Sequence, residues 1–236
     1  MRTLKIFLFI YLVIFFNSCN KEENTFYTGN IIGFVNLVDE NGNELIDKSG
    51  VKVSLDNTKY SVISNDIGRF AFTDIPAGTY NLTFDKEGFG IFKRFSYQFI
   101  GGNVPALLYE TKLYQQPTIE IQSLDIFLED NIIKISGTLT EKSEYSVQFF
   151  VGFSSDVSDR NYHYKSWRYG ISGFTSNSFG DNIYLSNTPF SHGDKVYIVV
   201  YFYNPYDLSG YYDYNLEEFF ISSSKKASNI IEFIIQ

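Results

Sequence analysis

From Ile31 onward, apolar and polar residues alternate in short runs broken by Gly, Asn, Asp and Pro. Ile31, Gly33, Val35 and Leu37 share one face of a strand, and Asp39-Glu40-Asn41-Gly42 supplies the turn after it. Val51, Val53 and Leu55 alternate with Lys52 and Ser54, the period of two expected of a half-buried strand. Asn65-Asp66-Ile67-Gly68 and Asp74-Ile75-Pro76-Ala77-Gly78 read as turns flanking a strand that carries Phe70 and Phe72 inward. Tyr80, Leu82 and Phe84 follow on one face, Asp85-Lys86-Glu87-Gly88 closes that hairpin, and Phe89 to Ile100 and Ala106 to Tyr114 give two further strands. No helical period interrupts this series, so a β-sandwich is predicted.

Gln115-Gln116-Pro117 reads as a linker, and a second series starts at Ile119. Ile133, Ile135, Gly137 and Leu139 alternate, as do Val147, Phe149, Val151 and Phe153; strands are also predicted over Tyr162 to Ile171 and Ser178 to Leu185. Lys195 to Tyr203 is apolar on both faces and is expected to be central, with Tyr211 to Ile221 and Asn229 to Ile235 closing the chain. Phe190, Gly193, Tyr197, Val199 and Asn204 are similar to the tyrosine-corner region of fibronectin type III modules, with Tyr197 at the corner. The fold class expected is all-β, with two tandem sandwiches: residues 27–114, a linker at 115–117, then an immunoglobulin/fibronectin III-like unit at 118–236.

The ordered series Gly33-Phe34-Val35, Val51 to Leu55, Asn65 to Phe72, Ile75 to Tyr80 and Lys86-Glu87-Gly88-Phe89 resembles a carboxypeptidase regulatory-like domain. That resemblance implies a seven-stranded, transthyretin-like sandwich with a folding and spacing role. In metallocarboxypeptidases the module sits beside a separate zinc domain, so the resemblance implies no catalysis here.

Ahead of these strands stand Arg2 and Lys5, an unbroken apolar run from Ile6 to Phe16, and Asn17-Ser18-Cys19. The apolar run is short of the roughly 20 residues a membrane-crossing helix needs, so residues 1–18 read as an export signal. The arrangement resembles a bacterial lipoprotein signal, in which Cys19 is acylated and begins the mature protein. Lys21, Glu22 and Glu23 resemble the surface-export signal of Bacteroidota lipoproteins, with residues 19–26 as lipidated cysteine and tether. The resemblance implies attachment to the outer membrane through acylated Cys19 and exposure on the cell surface. Acyl chains at about 0.8 kcal/mol per buried methylene anchor a protein stably once two are present.

Composition narrows what such a chain does. The net charge is −8, and loss of Arg2 and Lys5 makes the mature part more acidic still, which gives no electrostatic basis for binding nucleic acid. Cys19 is the single cysteine, so no internal disulfide forms and packing alone holds the exported part together. The 24 Phe and 19 Tyr favour strands, and an AT-rich genome alone accounts for part of that excess.

Candidate chemistry is sparse. His163 and His192 are not in a metal-ligand spacing, and no phosphate loop or Gly-x-Ser-x-Gly elbow is present. Ser191, His192 and Asp194 read as a polar turn rather than a triad, and the acid pairs Glu217/Glu218 and Glu129/Asp130 point to opposite faces of a strand. Asp39, Asn41, Asn43 and Asp47 offer oxygen ligands on one loop, chemistry that suits Ca²⁺, against a solvated hairpin. Tyr203, Tyr206, Tyr211 and Tyr212 are the expected ligand surface, beside Tyr214, Asn204, Asp207 and Asp213; Tyr162, Tyr164, Trp167 and Tyr169 form a second aromatic cluster. Rings beside carboxylates and amides suit sugars. The expected role is a non-enzymatic surface lipoprotein without cofactor that binds a glycan or an envelope protein, for adhesion or capture. Its alternative is a structural or assembly subunit with no small ligand.

Overall fold

The computed structural model describes residues 27–141, 146–168, 177–207 and 209–236. Cys19, Lys21, Glu22 and Glu23 lie outside the described residues, as does Tyr169. The described part is all-β, with one 3₁₀ turn at Leu185–Asn187.

The first sandwich is built from β1 (Thr28–Val38), β2 (Lys52–Leu55), β3 (Ser61–Ile63), β4 (Arg69–Pro76), β5 (Gly78–Asp85), β6 (Phe92–Phe99), β7 (Gly102–Leu107) and β8 (Thr111–Tyr114). One sheet runs β4-β1-β7 with β8 also on β1, and the other runs β3-β2-β5-β6. The inward residues are those the alternation predicts: Ile31, Val35 and Leu37 of β1 and Phe70 and Phe72 of β4 face Val53, Leu55, Leu82 and Phe84. Gly33 is required beneath Phe70, because a Cβ there would lie 2.3 Å from the Phe70 ring. The strand expected over Ala106 to Tyr114 is instead two pieces, β7 and β8, that pair in turn with the lower and upper halves of β1, both parallel to it. Between Gly29 and Ile31 of β1, β7 advances from Gly102 to Ala106, so residues 103–105 bulge outward around Pro105.

The second set of sheets comprises β9 (Ile121–Glu129), β10 (Ile132–Leu139), β11 (Ser146–Gly152), β12 (Tyr164–Arg168), β13 (Ser178–Tyr184), β14 (Lys195–Tyr203), β15 (Gly210–Asp213), β16 (Glu218–Ile221), β17 (Lys225–Lys226) and β18 (Ile231–Ile234). The sheet β13-β10-β9 packs on β12-β11-β14, which β17 and β18 extend along the free edge of β14. Ile133, Ile135, Leu139, Phe179 and Ile183 meet Val147, Phe149, Val151, Val196, Ile198, Val200 and Phe202. β14 is central, as its two apolar faces predict. Phe153 departs from the predicted alternation: the strand ends at Gly152, and the Phe153 ring stacks edge-on to Phe190 and His163 at the surface. Tyr197 lies within β14 opposite Glu232 of β18.

The two sandwiches meet along a polar seam closed by aromatic rings. Asn204, at the end of β14, is fully buried. Its Nδ2 donates to the carbonyls of Asp39 and Gln115, each at 3.2 Å, while its Oδ1 accepts from the Tyr206 amide at 2.9 Å. Ser223 Oγ accepts from the Asn204 amide, and the buried Asp207 carboxylate accepts from the amide of Ser223 and the hydroxyls of Ser222 and Ser209. Gly90 fits against this segment with no room to spare: a Cβ there would come within 1.9 Å of the Ser222 carbonyl oxygen. Tyr211 then packs between Phe92 and Phe95 of β6 and Phe220 of β16.

Removing the Asn204 amide takes a donor from the Gln115 carbonyl, while the Asp39 carbonyl keeps the Gly42 amide, so Asn204→Ala is expected to lose about 1–3 kcal/mol in urea unfolding. Asn204→Asp is expected to be worse at neutral pH, since it sets a carboxylate against those two oxygens. Wild-type stability in Asn204→Asp would remove the clamp from the account.

Candidate functional site

Every residue of β11 is buried, because both faces of the β11-β14 pair are covered. On the outer face Phe150, Val199 and Tyr201 form a small second core with Val157 and Tyr162. Val157 and Tyr162 come from the segment after β11, which doubles back through a tight turn: Ser158 and Asn161 exchange backbone hydrogen bonds of 2.9 and 3.3 Å, and the His163 amide returns to the Val151 carbonyl. The turn places Asp159 and Arg160 at its tip. Facing it is the β15-β16 hairpin, with Tyr211 opposite Phe220 and Asp213 opposite Glu218. Strand alternation sends Tyr211, Asp213 and Phe220 inward and leaves Tyr212 and Phe219 on the outer face.

Between the turn and the hairpin lies a cleft of about 280 Å³ lined by Asp159, Arg160, Asn161, Tyr162, Leu216, Glu218 and Phe220. That is just under the roughly 300–1,000 Å³ usual for ligand pockets. The Arg160 guanidinium lies 4.2 Å from the centre of the Phe220 ring, a cation–π contact, and donates to the Tyr211 hydroxyl at 2.6 Å. Tyr162 donates to Glu218 Oε2 at 2.5 Å, and Lys165 donates to Oε1 of the same carboxylate.

The two acids in the cleft are pushed in opposite directions. Burial raises Asp159 above the ordinary carboxylate range, and the charge of Arg160 and the Tyr201 hydroxyl only partly offset it. Burial also pushes Glu218 up, but the hydrogen bonds from Lys165 and Tyr162 outweigh it and the net shift is downward. The cleft therefore offers an aromatic floor, a fixed guanidinium, a side-chain amide and one firmly ionised carboxylate.

The expected ligand tyrosines divide. Tyr203 and Tyr211 are buried, Tyr211 in the seam itself, so neither presents a ring face to a ligand. Tyr206 and Tyr212 are exposed; Tyr206 lies against Gly42 of the first sandwich, and Tyr212 is edge-on to the exposed Tyr214 at 5.1 Å. In the other cluster Tyr162 enters the cleft, whereas Tyr164 packs on the main core. The Asp39 loop spends its oxygens on itself: Asp39 Oδ1 accepts from the amides of Asn41 and Asn43, and Asp47 Oδ1 from that of Ser49. Among the described residues, no three His, Cys, Asp or Glu side chains come together in a way that would hold a metal ion. His192 bridges the Gln236 carbonyl and Asn131, while Asp194 accepts from the Ser191 amide, which is a turn and not a triad.

Sequence reasoning missed Asp159, Arg160 and Asn161, and it weighed Glu218 only as half of an acid pair. The one available signal was the polar run Asp159-Arg160-Asn161 between two aromatic stretches, and pairing it with residue 218 required the tertiary fold.

No family model matches the chain, and no curated protein matches it. Among solved structures, it is similar to a protein of Bacteroides uniformis described as a candidate carbohydrate binder, at 15% identity and TM-score 0.37, covering 88% of this chain and 99% of the other. It is also similar to DUF3823 family proteins of Bacteroides ovatus (11% identity, TM-score 0.36, 89% and 100% covered) and Parabacteroides merdae (12%, 0.33, 87% and 98%).

Glu218 titrates in the fold below its ordinary value near 4.5, so its contribution is present above that value and is lost as pH falls through the folded one. Glu218→Gln is accordingly expected to cost about 1 kcal/mol at pH 7, discounted for partial exposure, and to cost less at an acidic pH below the folded value. Thermal melts at the two pH values check this; an equal loss at both would assign the effect to packing.

Proposed function

We propose that the protein is a non-catalytic lipoprotein of the outer membrane, anchored through acylated Cys19 and exported by Lys21, Glu22 and Glu23. It captures a glycan in the cleft between Asp159–Tyr162 and the β15-β16 hairpin. The first sandwich acts as the spacer that its likeness to carboxypeptidase regulatory-like domains implies. The observation that carries this reading is the cleft itself, in which apolar rings stand beside an amide, a guanidinium and a carboxylate. Sugar rings present just such a pairing of apolar faces and hydroxyl edges. The exposed rings of Tyr206 and Tyr212 are the second candidate surface for the same ligand.

Glycoside hydrolysis is the other reading this cleft raises, because two carboxylates with separated titrations are its requirement. It is disfavoured by the way Glu218 is held. Both its oxygens are occupied, by Lys165 and Tyr162, which suits a fixed acceptor for ligand hydroxyls better than a nucleophile or base.

The test is a glycan screen of the mature chain with two paired variants. Asn161→Ala with Glu218→Gln alters the cleft, and Tyr206→Ala with Tyr212→Ala alters the exposed rings. The expected result is binding that weakens about tenfold or more in the folded cleft variant, equivalent to about 1.4 kcal/mol. Loss only in the tyrosine variant moves the site to those rings. Cleavage of the bound glycan overturns the non-catalytic reading, and no binding by wild type favours the structural subunit.

A further inference from the structure

The first sandwich has two poles. Its upper end, where β1 finishes at Val38, meets the second sandwich through Asp39 and Gln115. β1 is 11 residues long, so its other end lies roughly 35 Å away at about 3.3 Å per residue. At that far pole the chain enters the fold: the Tyr27 carbonyl accepts from the Ala77 amide at 2.7 Å, and Gly101 lies directly against Tyr27.

The far pole is apolar and almost without charge. Tyr27 is 65% exposed, Ile100 85% and Val104 82%, the last carried outward on the β7 bulge. Three stretches that run to this end, residues 27–38, 75–84 and 95–109, hold no charged side chain in a chain of net charge −8, and the charges nearest them on the other sheet are Asp56 and Lys59 of the β2-β3 turn. Asp74, whose amide is held by Asn30, stands at the margin. Exposed large apolar residues grouped on one pole mark a contact surface.

We propose that this pole rests on the lipid surface, with Ile100 and Val104 dipping into the headgroup region and Tyr27 lying at its boundary. The inference rests on the anchor reading above. Tyr27 follows Cys19 by eight positions, so a fully extended tether spans at most about 28 Å and an acylated Cys19 keeps this pole next to the bilayer. A lipid surface explains both features together. Apolar groups and tyrosine favour the interface, and the missing carboxylates spare an acidic protein repulsion from anionic lipids. Contact at this pole also directs the second sandwich, with its cleft, away from the membrane.

The mature chain is coupled through its single cysteine to maleimide-bearing lipid in vesicles of phosphatidylcholine and phosphatidylglycerol, and its hydrogen exchange is compared with the same chain capped by a soluble maleimide. Peptides within 95–109 are expected to exchange about threefold or more slowly on vesicles, while peptides around Ile46, 98% exposed in a separate loop, do not change. Ile100→Asp with Val104→Asp should abolish the slowing, and Ile46→Asp should leave it intact. Unchanged exchange at 95–109, or slowing that survives the double aspartate, overturns the contact. Labelled-palmitate incorporation by the full chain, compared with Cys19→Ser, tests the anchor separately. Absence of label removes the anchor, and with it the setting this contact requires.

Discussion

Asn204 is the residue on which the relation between the two sandwiches depends. A short linker alone leaves two small β units free to swing, and apolar contact alone leaves their mutual rotation poorly fixed. A buried amide that must donate to two particular carbonyls is directional, and leaving it unsatisfied costs far more than making it gains. Ser223 accepts from the Asn204 backbone amide and Asp207 holds Ser223 in turn, so the backbone that carries the Asn204 side chain is fixed within the second sandwich. Gln116 and Lys225 repeat the pattern at the rim, donating to the carbonyls of Ser224 and Pro117. The seam is thus polar at its centre and ringed by Tyr206, Tyr211 and their aromatic neighbours.

The same hairpin that seals the seam forms one wall of the cleft. Tyr211 touches Phe92 and Phe95 across the seam with its ring, and its hydroxyl accepts from Arg160 in the cleft. Glu218, opposite Asp213 on the hairpin, joins Tyr162 and Lys165. Anything that loosens the seam therefore reaches Arg160 through one side chain. The cleft exists at all because β11 and β14 are apolar on both faces: the outer face demands a cover, and the turn around Asp159 and the hairpin are what the chain uses to provide it.

Most of the fold was legible, for a simple reason. Period-two alternation at Ile31 to Leu37 or Ile133 to Leu139 reports a local constraint, one face dry and one wet, and local constraints are written in consecutive residues. The split of β7 from β8 was less legible, because nothing in Ala106 to Tyr114 alone shows that β1 has room for two partners in succession. The ligand surface was misjudged at Tyr203 and Tyr211 for a related reason. Tyrosine suits a wet surface and a closed interface equally well, and which one Tyr211 meets is decided by Phe92 and Phe95, more than a hundred residues earlier. Glu218 looked ordinary because Lys165 and Tyr162, which hold it, stand across the cleft, and Asp159 because its burial is decided by the fold and not by its neighbours in sequence.

The charge distribution completes the argument. An acidic chain keeps itself soluble by spreading carboxylates over its surface, yet this one leaves Tyr27, Ile100 and Val104 grouped at one pole and gathers Asp159, Asp213 and Glu218 with Arg160 and Lys165 beside the seam. Packing does not require that segregation, since exposed positions such as Ile100 and Val104 contribute nothing to the core and a lysine or glutamate would fit there equally well. An apolar pole at one end of the first sandwich and a charged cleft beside a fixed seam at the other make sense together if the molecule has a near side and a far side. The directional hydrogen bonds of Asn204 keep those two ends apart.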